Sequence, residues 1–128
     1  MSFLLDTHAL LWWMLDDERL SPAARETIAD VDNELVWSVV GTWEIAIKAG
    51  LGRIDLPGSL ADLIGTTLRA QAIATLPIHQ AHALRVERLP AHHRDPFDRM
   101  LVAQAVEEDL VVVSKDTALA AYDVEVLW

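Results

Sequence analysis

Phe3-Leu4-Leu5-Asp6-Thr7-His8, near the start of the chain, and Val111-Val112-Val113-Ser114-Lys115-Asp116, near its end, share one plan: an apolar run followed by an acid. Short runs of this kind predict buried strands. Strands that are apolar on both faces and alternate with helices are typical of a parallel sheet covered on both sides. We therefore expect an α/β fold, a single three-layer sandwich with a central, mainly parallel sheet of four or five strands flanked by helices.

The rest of the chain continues this alternation of strand and helix. Ser21 followed by Pro22 predicts a helix start, and Gly50 predicts a helix end. Further strands are predicted over residues 35–38, 73–76, 110–114 and 124–127. Helices are predicted over residues 8–15, 22–29, 42–49, 59–70, 78–88, 95–108 and 117–121, with a polar loop at 89–94.

Composition limits the protein class. The 128 residues, 52% of them hydrophobic, predict one domain over residues 1–128. The absence of cysteine excludes disulfides and thiolate chemistry, so a metal would need oxygen or imidazole ligands. With no leader-like N-terminus and no apolar stretch long enough for a membrane span, we expect a soluble, cytoplasmic protein with no membrane partner. The net charge of −10 opposes binding of polyanions, unless some of the ten basic residues line one cleft.

Four carboxylates carry the strongest chemical signal: Asp6, Glu44, Asp98 and Asp116. Each follows a predicted strand or lies near a helix start, and ligands of α/β sheets bind outside the carboxyl ends of the strands. Two such charges about 4 Å apart repel by roughly 4 kcal/mol at an effective dielectric near 20, so convergence requires a counter-charge. Carboxylates suit Mg²⁺ or Mn²⁺, and such ions activate water for attack on a phosphodiester.

Each acid also has an ordinary structural explanation. Asp6 and Asp116 precede predicted helices, where an Asp N-cap contributes about 1 kcal/mol. Asp98 would complement a helix dipole, and Glu44 would pair with Lys48 four residues on. On this interpretation the chain is a catalytically silent binding module whose acids only cap helices.

The same segments resemble one family over most of the chain. The matching segments are Leu4 to Trp12, Ser38 with Trp43 to Lys48, His93 to Ala105, Ser114 to Asp116 and Tyr122 to Trp128. In these the chain resembles PIN-domain proteins, specifically the VapC type of toxin ribonuclease from prokaryotic type II toxin–antitoxin pairs. Members often carry a second small hydroxyl residue where this chain has Gly41.

The resemblance implies a function and a set of partners. Asp6, Glu44, Asp98 and Asp116 would be the acidic quartet that binds Mg²⁺ or Mn²⁺ and supports RNA hydrolysis, leaving a 5′-phosphate and a 3′-hydroxyl. A cognate antitoxin and a homodimer are implied as well. A rival enzyme class, phosphotransferases with Asp6 as nucleophile, fits less well, because haloacid-dehalogenase-like enzymes need a second Asp where this chain has His8.

Other side chains near the acids have open roles. The sequence leaves undecided whether the site includes Ser38, Lys48, Asp95, Arg99 or Lys115, with an N-cap the favoured role for Asp95. Phosphate contacts are conceivable for Lys48, Arg53, Arg94, Arg99 and Lys115. The histidines His79, His82, His92 and His93 are expected to lie outside the chemistry. The tryptophans Trp12, Trp13, Trp37 and Trp43 are expected in the core or in a subunit contact.

Overall fold

A computed structural model describes all 128 residues. Its sheet has five strands: β1 (Ser2–Leu5), β2 (Glu34–Ser38), β3 (Ala74–Leu76), β4 (Val111–Val113) and β5 (Val126–Leu127). The spatial order is β3-β2-β1-β4-β5, and every neighbouring pair is parallel. The predicted α/β class is confirmed, with five strands rather than four.

Helices connect the strands. They are α1 (Thr7–Met14), α2 (Pro22–Ala29), α3 (Val39–Gly50), α4 (Leu60–Ala70), α5 (Gln80–Arg88) and α6 (Pro96–Glu108), with a 3-10 helix over Thr117–Tyr122. None of them is both long enough and apolar enough to cross a bilayer.

The central strand β1 contributes side chains to a hydrophobic cluster on each face of the sheet. Phe3 and Leu5 pack in one cluster with residues of α1 and α2. Leu4, between them, belongs to a second cluster that contains residues of α6 and of the 3-10 helix. Successive side chains of a strand point to opposite faces, so β1 is buried on both sides. The three-layer arrangement follows from this burial.

The chain turns to opposite sides of β1 at one point in the sheet. From β1 it proceeds to β2 and β3 on one side, whereas β4 and β5 lie on the other. The connections that leave β1 and β4 therefore diverge, and a crevice forms between the carboxyl ends of these strands. Asp6 follows β1 directly, and Ser114 follows β4 directly. The topology thus brings both ends of the sequence to one crevice.

Several predicted boundaries differ from those observed. Helix α3 begins at Val39 instead of Thr42, because the Ser38 hydroxyl accepts the backbone N–H of Val40 and caps the helix immediately after β2. Gly50 is the last residue of α3 and not the residue that stops it. Helix α5 begins at Gln80 and not Ile78. Strand β5 covers only Val126–Leu127 of the predicted residues 124–127, because these two residues alone pair with β4.

Trp37 explains why this chain has glycine at position 41, where proteins of the resembled family often carry a hydroxyl residue. A Cβ placed on Gly41 would lie 2.4 Å from the Trp37 ring, so the buried indole leaves no room for the hydroxyl residue that members often carry there.

The tryptophans differ in exposure. Trp12 and Trp37 are buried, as expected. Trp43 is 57% exposed, so it lies outside the core, and its other expected place, a subunit contact, stays a prediction. It lies on the outer face of α3 with its ring edge-on to Phe97.

Candidate active site

A cleft of about 400 Å³ lies at the carboxyl ends of the strands and contains all four predicted acids, Asp6, Glu44, Asp98 and Asp116. The other lining residues are His8, Trp12, Lys48, His93, Asp95 and Lys115. A larger cavity, of about 520 Å³, is lined by Met1, Ser2 and Val111 at the opposite edge of the sheet. It contains none of the predicted site residues, so the smaller cleft is the candidate site.

Asp6 is buried, with 8% of its surface exposed, and both of its carboxylate oxygens accept hydrogen bonds. One of its oxygens accepts the backbone N–H of Thr7 at 2.7 Å, and the other accepts the Ser114 hydroxyl at 2.7 Å. Burial raises the pKa of Asp6 above its ordinary value, although these two hydrogen bonds act in the opposite direction. The Ser114 oxygen also accepts the backbone N–H of Asp116 at 3.0 Å. Ser114 thus joins two of the acids, a role that the sequence analysis missed.

Glu44 extends from the second turn of α3 and is 3% exposed. Its Oε2 atom pairs with the Nζ of Lys48, as the i, i+4 spacing predicted. Its Oε1 atom is buried and has no hydrogen-bond donor. A buried carboxylate oxygen without a partner loses hydration without compensation. The Oε2 atom of Glu44 is therefore paired with Lys48, whereas the Oε1 atom is available as a ligand for a metal ion.

Asp98 lies in the first turn of α6, after the helix cap. Asp95 caps this helix by accepting the backbone N–H groups of Phe97 at 2.8 Å and Asp98 at 3.4 Å, so its favoured N-cap role is confirmed. Burial raises the pKa of Asp98 to about 7, and the charges of Asp6 and Asp95 add to the effect. At neutral pH this carboxyl group is therefore divided between its charged and protonated forms.

Asp116 combines a structural contact with a place in the cleft. Its Oδ1 accepts the backbone N–H of Ala118 at 3.1 Å, the cap contact that the sequence suggested. Its Oδ2 lies 3.0 Å from Nε2 of His93. With 40% of its side chain exposed, Asp116 is the most exposed of the four acids.

His93 lines the cleft, a position that the sequence analysis did not predict. Its Nε2 atom is 3.3 Å from Oδ2 of Asp98 and 3.0 Å from Oδ2 of Asp116, so it lies among the acids. The available signal was its position two residues before Asp95, at the start of a helix that delivers Asp98 to the cleft. The other loop histidine, His92, packs against Tyr122 and does not line the cleft.

The remaining histidines and basic residues divide clearly. His82 is buried between Glu108 and the backbone N–H of His79, a structural role. Lys48 and Lys115 line the cleft, whereas Arg53 and Arg94 do not. Arg99 turns away and donates hydrogen bonds to backbone carbonyls of the neighbouring loop, including that of Pro90 at 2.9 Å. Of the five basic residues that lie near the acids in sequence, only Lys48 and Lys115 therefore line the cleft.

The family assignment follows from comparison with known proteins. The profile of the PIN domain matches residues 3–125. The chain belongs to the PIN-domain family. It is 32% identical over 120 residues to ribonuclease VapC22 of Mycobacterium tuberculosis, covering 93% of this chain and 90% of that protein. The resemblance to the VapC type drawn from the sequence motifs is therefore confirmed.

Solved structures share the PIN-domain fold. VapBC2 from Rickettsia felis, bound to a DNA fragment from its promoter, superposes with a TM-score of 0.75 at 10% identity, covering 99% of this chain and 98% of that one. VapBC-1 from nontypeable Haemophilus influenzae gives 0.65 at 16% identity, covering 99% and 97%. FitAB bound to the IR36 DNA fragment gives 0.66 at 20% identity, covering 98% and 93%.

The PIN-domain cleft fits a divalent metal ion on its own chemistry. Five carboxylates line it, those of Asp6, Glu44, Asp95, Asp98 and Asp116, against the cations of Lys48 and Lys115. Ligand atoms of His93, Asp98 and Asp116 lie within 4.8 Å of one another, and the buried Oε1 of Glu44 has no donor. An oxygen-rich site with excess negative charge is the environment that hard cations occupy.

Proposed function

We propose that this PIN domain, acting as one unit over residues 1–128, is a Mg²⁺- or Mn²⁺-dependent endoribonuclease that hydrolyses RNA phosphodiester bonds. We propose further that it is the toxin of a type II toxin–antitoxin pair. The observation that carries the proposal is the convergence of Asp6, Glu44, Asp98 and Asp116 in one cleft, with Glu44 presenting a buried oxygen that has no donor. Its relative VapC22, itself named a ribonuclease, supports the reaction type.

The four acids share one task in this proposal, and two neighbouring residues orient them. Asp6, Glu44, Asp98 and Asp116 would hold the ion, which supplies an activated water and stabilises the leaving oxygen. Ser114 fixes the orientation of Asp6, and Lys48 fixes that of Glu44. Asp6 and Glu44 are thus already held in place, so these two acids need little ordering when the ion and the RNA bind.

RNA is proposed to enter along the rim formed by Lys48 and Lys115. Lys115 makes no ion pair with a carboxylate, and its Nζ lies 5.7 Å from the ring centroid of Trp12. Its charge is therefore available for a phosphate oxygen next to the acids. A bound divalent ion together with Lys115 would provide local positive charge for RNA on a protein whose net charge is −10.

Two alternative functions are less well supported. In a silent module the acids would serve only as caps, yet Glu44 caps no helix and is buried in the cleft. In a phosphotransferase Asp6 would attack phosphate, yet both of its oxygens accept hydrogen bonds and the residue is buried. Metal binding by the whole set explains the burial of Glu44 and Asp6 together.

A protein partner is proposed for the outer face of α3. Trp43, Ile47 and Leu51 are exposed apolar side chains spaced four residues apart, so they form one stripe along the helix. This stripe supports the antitoxin and homodimer contacts that the VapC resemblance implies. Sedimentation distinguishes the antitoxin contact from the homodimer contact. A dimer of the purified chain alone indicates self-association, whereas a complex formed only after co-expression with a small protein encoded beside it indicates an antitoxin contact.

The test of the proposed function is cleavage of a 5′-labelled RNA in Mg²⁺ or Mn²⁺. Asp6→Asn and Asp98→Asn are expected to abolish cleavage, because each removes a charged ligand while keeping the side-chain shape. Asp62→Asn is the matched control, since Asp62 occupies the same third position of α4 that Asp98 occupies in α6 but lies outside the cleft. Products should carry a 5′-phosphate.

Two results would overturn the proposal. Wild-type cleavage that persists in excess EDTA rules out the metal mechanism. Cleavage by Asp6→Asn and Asp98→Asn at the wild-type rate, with Asp62→Asn also active, shows that the acids serve as helix caps alone.

A further inference from the structure

We propose that His93 is a built-in hydrogen-bond donor to Asp98 and Asp116 which the metal ion must displace, so that His93 sets the affinity of the site for its metal. This inference rests on the proposed function, because it concerns the metal site of that reaction. It assigns a role to a residue of this chain that is neither an acid of the quartet nor a metal ligand.

The first step is the position of the imidazole. Nε2 of His93 lies 3.0 Å from Oδ2 of Asp116 and 3.3 Å from Oδ2 of Asp98. Mg²⁺ binds carboxylate oxygens at about 2.0–2.1 Å, closer than a hydrogen-bond donor approaches them. Asp98 and Asp116 would offer these same oxygens to a metal ion, so the ion would compete for them with the imidazole N–H. His93 must then either coordinate the ion through Nε2 or move away.

The second step is the tautomer, which decides between coordination and displacement. Nδ1 of His93 accepts the backbone N–H of Asp95 at 3.2 Å, so the ring proton of the neutral imidazole is on Nε2 and points at the carboxylates. Coordination through Nε2 would transfer that proton to Nδ1, where it would face the Asp95 N–H, another donor. Histidine ligands ordinarily donate their second N–H to an acceptor. The surroundings of His93 therefore favour a donor over a ligand.

The third step is the support of the loop that carries His93. Arg99 donates to the backbone carbonyls of Pro90 at 2.9 Å, Val86 at 3.1 Å and His93 at 3.4 Å. These bonds hold the main chain of the loop against α6 independently of the imidazole. The His93 side chain is 26% exposed, so it can turn toward solvent while its backbone stays in place.

The fourth step is the effect on the acids when no ion is bound. The donor shares its proton between Asp98 and Asp116 and reduces the cost of holding two carboxylates close together. Binding of an ion gives up this hydrogen bond. The affinity for the ion is therefore lower than the carboxylates alone would provide, and removal of the imidazole should raise it.

The experiment is calorimetric titration of the metal-free protein with Mn²⁺ and with Mg²⁺. His93→Ala is expected to bind Mn²⁺ about tenfold more tightly than wild type, the factor that about 1.4 kcal/mol corresponds to. Its melting temperature in EDTA should fall, and the rise on adding Mn²⁺ should exceed that of wild type. His92→Ala is the matched control, because this neighbouring loop histidine packs on Tyr122 outside the cleft and should leave the Kd unchanged.

A second measurement does not depend on a substitution. Long-range ¹H–¹⁵N spectra of the wild-type histidine rings are expected to show the Nε2–H tautomer for His93 in EDTA and to keep that tautomer, with altered shifts, after Mg²⁺ is added. A change to the Nδ1–H tautomer on metal binding would overturn the proposal and make His93 a ligand.

The titration results distinguish a failure of the His93 inference from a failure of the proposed function. If wild type binds Mn²⁺ and His93→Ala binds it with equal or weaker affinity, the donor role is overturned and the metal site stands. If neither wild type nor His93→Ala binds Mn²⁺, the proposed function itself fails, and with it the inference.

Discussion

Asp98→Asn is predicted to stabilise the metal-free protein, and to do so only where wild-type Asp98 would be charged. The pKa of Asp98 is raised from 3.8 to about 7, chiefly by burial and then by the charges of Asp6 and Asp95. Between these two values the folded protein binds more protons than the unfolded chain. Its stability therefore falls as pH rises from about 4 to 7, and the loss is complete above about 7.

The magnitude follows from the two pKa values. Their difference corresponds to about 4 kcal/mol, which solvent screening of this partly exposed group reduces to about 2 kcal/mol. Asparagine is neutral at every pH, so the variant should be more stable than wild type by about 2 kcal/mol at pH 8 and by less than about 1 kcal/mol at pH 5. For a chain of this length the gain at pH 8 corresponds to a rise in Tm of about 6–10 °C.

The assay is urea unfolding in EDTA, followed by tryptophan fluorescence at pH 5 and pH 8. Asp62→Asn again serves as control, since Asp62 is an exposed first-turn acid of α4. Its loss should cost about 0.3–1 kcal/mol through the helix dipole at both pH values. Added Mn²⁺ should stabilise wild type more than Asp98→Asn. The reasoning is refuted if Asp98→Asn gains equally at both pH values, or loses stability at pH 8 as the control does.

Three further substitutions test other contacts. Ser114→Ala removes the donor to Asp6, so the pKa of Asp6 should rise further and the pH of half-maximal cleavage should increase; an unchanged pH profile would contradict this. Gly41→Ser should lower the free energy of unfolding in urea by about 1–3 kcal/mol through overpacking against Trp37, and wild-type stability would show that the helix shifts freely. Arg99→Met should cost about 1 kcal/mol and speed amide exchange in residues 86–94, because several backbone carbonyls of this segment lose their charged donor; unchanged exchange would show that the segment is held by other contacts.

Much of the fold was predictable because local rules agree with the tertiary structure. Ser21 accepts a backbone N–H group at the start of α2, as its position before Pro22 indicated. Apolar runs with no polar alternation identified strands buried on both faces. The errors lie at boundaries such as Val39, where a cap follows a strand with no intervening loop.

The acidic residues were predictable by type and position, and their partners were not. A carboxylate after a buried strand is conspicuous in any sequence, whereas a serine or histidine is not. Ser114 meets Asp6 across 108 positions of the chain, and His93 meets Asp116 across 23. No local pattern encodes such contacts, because they arise only when β1 and β4 pair and the loop before α6 folds over their ends.

The sequence by itself determined the α/β class, the family, and the four acids that define the cleft, since periodicity, caps and motifs are properties of neighbouring residues. Tertiary structure alone decided the strand order, the exposure of Trp43, the exclusion of a side chain at Gly41, and the place of His93 between Asp98 and Asp116. The physical reason is that strand pairing and close packing bring together residues that are distant in the chain. The burial and the charge of the site residues depend on those contacts.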